Sequence, residues 1–182
     1  DWRDADSALS SAAAGAESPY YRNLPYPYEA KDADFQIPDE LLLVKGVNQE
    51  IFEKLRDFVT IYGEGKVNIN TASAEVLLSL GIASATVDKI IHCRFGKDGE
   101  SGTGDDAVFT AASQIIPLLE QGQPPLTAAE KGQLEQVMAD HLVTDSGFFS
   151  VRSRAGFDRR QDSAEARVCV DRQGKILSWR QS

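Results

Sequence analysis

The sequence is short of the residues that most often carry chemistry. Two cysteines, Cys93 and Cys169, and two histidines, His92 and His141, stand among 182 residues. Neither cysteine has CxxC spacing or a nearby pair of histidines, which argues against a zinc site. No Gly-x-Ser-x-Gly, Cys/His or paired-carboxylate arrangement occurs at an informative spacing, so an enzyme reading has little to stand on. His92 falls late in a helical stretch and reads as a helix-end residue. Long apolar runs are missing too: none approaches the roughly 18–20 residues that cross a bilayer. Positive charge is also scarce. The chain has 19 Lys and Arg against 28 Asp and Glu, a net charge of −9, and that field repels phosphate and anionic lipid.

What is present suits one domain or two small ones with real cores, since 42% of residues are hydrophobic and 26% charged. Residues 1–38 hold Pro19, Pro25, Pro27 and Pro38 with Tyr20, Tyr21, Tyr26 and Tyr28. Prolines at that density favour extended or turn backbone pinned down by the aromatics. SALSSAAAGAE could form a short turn of helix before Gly15. From Asp39 the pattern turns helical. Leu41 to Val44 form an apolar run expected to be buried. Asn48 caps a helix with Phe52, Leu55, Phe58, Val59 and Tyr62 on one face. Thr71 or Ser73 caps the next, Gly81 turns the chain, and Ser84 caps a third. A short helix disturbed by Pro117 follows, then LTAAEKGQLEQVMADHL, which opens with a capping box from Thr127 to Glu130.

After Asp145 the period switches to two. Phe149, Val151, Ala155 and Phe157 alternate with polar residues, as do Ala164, Ala166, Val168 and Val170, and a turn at 172–174 leads into KILSWR. That predicts a three-stranded antiparallel meander. The expected fold is α+β, with a helical block at 39–143 inserted before a β tail at 144–182. The extended segment 1–38 returns to pack on that tail.

VNINTASAEVLLSLGIASATVDKIIHCR (67–94) raises the question of DNA, because it reads as two helices around a tight glycine turn. Helix–hairpin–helix DNA binders use a Gly-apolar-Gly turn whose backbone N–H groups hold a phosphate. Here KGVNQ (45–49) and LGIAS (80–84) each lack the second glycine, which is replaced by Asn48 and Ala83. Between Asp39 and Phe95, six basic residues face eight acidic ones. Duplex affinity rests on several Lys and Arg contacts to phosphate, so the hairpins read as packing modules. A helix–hairpin–helix DNA-binding or uptake protein is the alternative.

DWRDADSALSSAAAGAESPYY resembles the leading signature of the general secretion pathway protein K family, the large minor pseudopilins of type II secretion. Trp2, Asp4, Asp6, Gly15, Ala16, Glu17, Tyr20 and Tyr21 carry the match. ELLLVKGV, VNINTA and LVTDSGFFSVRSRAG follow in the same order, so the likeness covers nearly the whole chain. It implies a pseudopilin-type small antiparallel sheet interrupted by a large SAM-like, helix-hairpin-helix-like α-helical domain. It also implies a place at the pseudopilus tip with minor pseudopilins I and J and a periplasmic location; the missing reactive constellation makes that role non-catalytic, and the acidic charge argues for no nucleic acid. A transmembrane helix would precede Asp1, and a start without Met agrees with that expectation.

Two local expectations remain. GKDGESGTGDD (96–106) crowds Asp98, Glu100, Asp105 and Asp106 among glycines, and such a loop can give calcium the oxygens it needs. The spacing is not that of an EF-hand, and a solvated Gly/Asp loop has the same composition. The resemblance implies calcium in the helical domain of some relatives, so a structural calcium held by those four carboxylates is the expectation. Asp1, Asp4 and Asp6 could also hold a cation, but read more simply as turn-forming side chains beside a buried Trp2. Cys93 on a helix and Cys169 on a strand are expected to remain unpaired.

Overall fold

The computed structural model describes residues 1–11, 13, 15–122, 124–156 and 163–181. It divides into two compact units, 1–62 and 63–182, rather than at 38/39 and 143/144. The first boundary moves because the end of the leucine run belongs to the first unit. Val44 packs against its aromatic cluster, and the Lys45 N–H donates to the Tyr21 hydroxyl at 3.2 Å.

The first unit is built on Trp2, Ala16, Tyr21 and Ala30, with Leu24, Tyr28 and Phe35 packed against them. Trp2 stands edge-on to Tyr21, with ring centres 5.0 Å apart, while Tyr21 and Tyr28 stack at 5.2 Å. Such pairs add to the gain from burying large rings. Its first helix, α1, is Ser18–Arg22 with Pro in the first turn; the described residues of SALSSAAAGAE contain no helix. Pro38–Leu43 forms a 3₁₀ turn without a buried residue. At three residues per turn it spreads the leucines around all sides, leaving Leu43 44% exposed, so the run expected to be buried is not. Asn48 caps α2 (Gln49–Leu55) by accepting the Ile51 N–H. That helix ends before the β-branched run Val59-Thr60-Ile61, which resists helix. Phe58 and Val59 are therefore exposed.

Among the described residues, the second unit holds four helices: α3 (Ala74–Ser79), α4 (Ser84–Phe95), α5 (Ala112–Leu119) and α6 (Ala128–His141). Their core is Ile69, Leu77, Ile82, Val87, Ile90, Phe109, Ile115, Leu119, Leu126, Leu134, Val137 and Leu142. Ser73, not Thr71, caps α3, and Pro117 is accommodated inside α5. The Thr127–Glu130 capping box forms with both of its bonds. A two-residue strand on each side of the helices closes the block: β1 (Val67–Asn68) pairs in parallel with β2 (Leu142–Val143).

The meander follows, in the order β3 (Phe148–Gly156), β4 (Ser163–Asp171), β5 (Ile176–Gln181). Phe149 faces Val170, and Val151 faces Val168, which faces Trp179. Opposed residues share a face, so one side of the sheet is apolar. The other carries Arg152, Arg154, Glu165, Arg167 and Cys169. Phe157 lies outside the described residues. Cys93 and Cys169 are free thiols.

Candidate functional site

Three places carry the sequence expectations: the hairpin after VNINTA, the acidic loop and the meander. In the hairpin, Gly81 takes a φ of 83°, a left-handed turn that suits glycine. Gln133 on α6 reaches across it, accepting from the Ala83 N–H at 3.2 Å and donating to the Gly81 carbonyl at 2.6 Å. Ala83, rather than Ser84, is the N-cap of α4, without a side-chain cap; Gln133 accepts the N–H of Ala83 itself.

All six basic residues between 39 and 95 are engaged within the protein. Lys45 donates to the Gly15 carbonyl and lies over the Tyr20 ring. Lys54 pairs with Glu50 and Arg56 with Glu53. Lys66 holds the Asp140 carbonyl at the end of α6, and Arg94 holds that of Ala72. Lys89 and Glu130 form a largely buried pair at 3.0 Å. Within the hairpin itself, Lys89 and Arg94 are both committed to protein partners.

The polar residues of VNINTA are spent in the same way. Asn70 donates to the carbonyls of Phe109 and Thr144, both at 2.8 Å, and accepts from the Phe109 N–H at 2.9 Å. Asn68 donates to the Ser146 hydroxyl, and the Ile69 N–H bonds the Val143 carbonyl. The motif ties the entry of the helical block to its exit.

Glu130 is held at about 2 rather than 4.5, first by the Thr127 N–H and then by Lys89. Glu165 lies at about 2 as well, through Arg167 and then Arg154. A folded-state pKa depressed in this way adds stability that is present above the unfolded value and lost as pH falls toward the folded one. The melting temperature should therefore hold above about pH 5 and fall steadily between about pH 4.5 and 2. Glu130→Gln should reduce that fall; an unchanged acid profile in a thermal melt series would contradict the assignment.

In the acidic loop, Asp98, Asp105 and Asp106 each offer an oxygen within 4.8 Å of the others. The Glu100 side chain is not in this group, although its backbone N–H bonds Asp98. Asp105 accepts from the Lys97 N–H, and Asp106 from those of Gly102 and Thr103. Gly96, at a φ of 60°, leaves room for the Asp105 carboxylate where a Cβ would collide. Backbone bonds, with that of Lys97 first, lower the pKa of Asp105. The Thr103 hydroxyl touches Asp105 Oδ1, Asp106 Oδ1 and the Glu100 carbonyl. One proton serves three oxygens, a surplus of hard donors that suits calcium. Nearby, a mostly apolar groove of about 540 Å³ is walled by His92, Cys93, Leu118 and Gly122.

On the meander's apolar face, Phe149 is 45% exposed, Val151 53% and Trp179 60%. No described residue of β3–β5 is buried. Large uncovered apolar areas mark contact surfaces.

Residues 1–64 match the family model described as type II secretion system (T2SS), protein K. The chain is protein K-like. The leading signature of Trp2, Glu17 and Tyr21 lies wholly within the matched segment. No curated protein matches the chain. Among solved structures, a chain of the GspK-GspI-GspJ complex from the enterotoxigenic Escherichia coli type 2 secretion system matches at a TM-score of 0.70 with 18% identity. The likeness covers 100% of this protein K-like chain and 60% of the other. At that identity it establishes a shared fold of mixed helix and sheet. No helix among the described residues is long and apolar enough to cross a membrane.

Proposed function

We infer that the chain is the periplasmic part of a non-catalytic minor pseudopilin at the tip of a type II secretion pseudopilus, assembling there with minor pseudopilins I and J. The uncovered apolar face of the meander carries this reading. A three-stranded sheet of its size needs a covered face to be stable, and the exposed Val151, Trp179 and Ile176 offer one to a helix or a partner. The match over residues 1–64 and the fold shared with a chain of the GspK-GspI-GspJ complex support it. The helical block, SAM-like in plan, is too bulky to lie within a filament and would cap it, so that the complex starts the filament and ends it. The test is co-purification with I and J. The three periplasmic regions should associate at micromolar concentration, and Val151→Arg should weaken that association; intact proteins that remain separate would remove the reading.

The loop at 98–106 is the second part of this proposal: it binds a structural calcium through Asp98, Asp105 and Asp106. Calcium should raise the melting temperature of the parent and leave that of an Asp105→Ala/Asp106→Ala double variant unchanged. A parent that does not respond would defeat it.

A further inference from the structure

The geometry points to a second cation site, in the first unit, where Asp1, Asp4 and Glu17 hold a divalent ion of calcium's size. It is independent of the loop at 98–106. One oxygen from each of the three carboxylates lies within 4.8 Å of the other two. That is a span one calcium shell can bridge, with metal–oxygen distances of about 2.3–2.6 Å.

Glu17 makes the cluster more than a group of acids. It is 6% exposed, and its Oε1 has no hydrogen-bond partner among the described residues. It occupies the N-cap of α1 but makes no side-chain cap bond, so its carboxylate is not serving the helix. A buried carboxylate is costly unless a partner or a metal meets it.

Asp1 is fixed around the same point. Its Oδ2 accepts from the Ala16 N–H at 2.7 Å, and its Oδ1 accepts from the N–H and hydroxyl of Ser10. A Cβ at Gly15 would strike that carboxylate, so glycine allows the loop to close over it. Asp6, one of the acids marked in the sequence, turns away to accept from the Ala8 N–H; Glu17 takes its place.

The positive charge now at the cluster is the Asp1 ammonium, 2.7 Å from Asp4 Oδ1. It offers one charge to three carboxylates. An added residue ahead of Asp1 replaces it with an uncharged amide and leaves the cluster to the metal alone.

Terbium, which takes calcium's ligands, reads the site directly, because Trp2 and Tyr21 are beside it and sensitise its emission. Emission excited through the aromatics should appear on titration, be displaced by calcium and survive Asp105→Ala/Asp106→Ala. Glu17→Gln should abolish it while near-ultraviolet circular dichroism shows the Trp2–Tyr21 packing intact. Should that variant lose its packing, Asp4→Asn, at a half-exposed side chain, should still weaken calcium at least about tenfold. The extended chain should bind about tenfold more tightly than the parent. Emission that is absent from the parent, unchanged in both single variants, or no stronger in the extended chain would overturn the site.

Discussion

Trp2→Ala should unfold the first unit while the helical core of the second remains. Trp2 is the largest of the four side chains buried in its cluster, and truncating a core Trp costs about 3–5 kcal/mol. Whole small domains have only about 5–15 kcal/mol to lose, and a unit of residues 1–62 with four cluster residues has few other contacts to compensate. The Trp2 indole N–H is buried without a partner, so Trp2→Phe loses volume and no hydrogen bond, and should retain most of the stability. Limited proteolysis gives the readout. The alanine variant should be cut rapidly within residues 1–62, leaving a resistant fragment from the helical region. Equal resistance in the variant and the parent would mean that the aromatic cluster does not hold the unit.

Asn70→Ala should lower the melting temperature of the second unit by about 10 °C. The substitution strips partners from the Phe109 N–H and from the carbonyls of Phe109 and Thr144, and Phe109 is fully buried. Unmet buried polar groups cost about 1–3 kcal/mol each; with some repair by water the total is about 3 kcal/mol. Asn70→Asp keeps the acceptor, loses both donors and sets a charge against two carbonyls, so it should be at least as damaging. If the aspartate variant melts with the parent, the donated bonds carry no weight and the reading of VNINTA as a clasp fails.

The sequence showed this clasp only as a motif. Periodicity located α3, α4 and α6, since the apolar spacing of Leu77, Val87, Ile90, Leu134 and Val137 is also their burial pattern. The Thr127 capping box and the meander were equally legible, because both depend on neighbours in the chain. What could not be read rests on distant partners. Gln133 closing the turn at Gly81 acts across about fifty positions, and nothing in LGIAS announces it. Leu41–Val44 looked like core because four apolar residues in a row usually are, and only the 3₁₀ geometry shows that three of them are not enclosed. Of the four acids expected around calcium, Asp98, Asp105 and Asp106 bring oxygens together and Glu100 stands outside that group, a spacing that composition cannot foresee. Glu17 was legible as part of a signature; its burial without a partner was not.

The parallel pairing of Val67–Asn68 with Leu142–Val143 also has a mechanical meaning. Tension along the chain pulls β1 back toward residue 66 and β2 forward toward residue 144, in opposite directions along two parallel strands. The ladder is thereby loaded in shear, so its bonds must fail together, with Asn70 and Lys66 as further rivets beside it. Force arriving from either side passes across this seam, and the helices enclosed between its ends stay out of the line of tension.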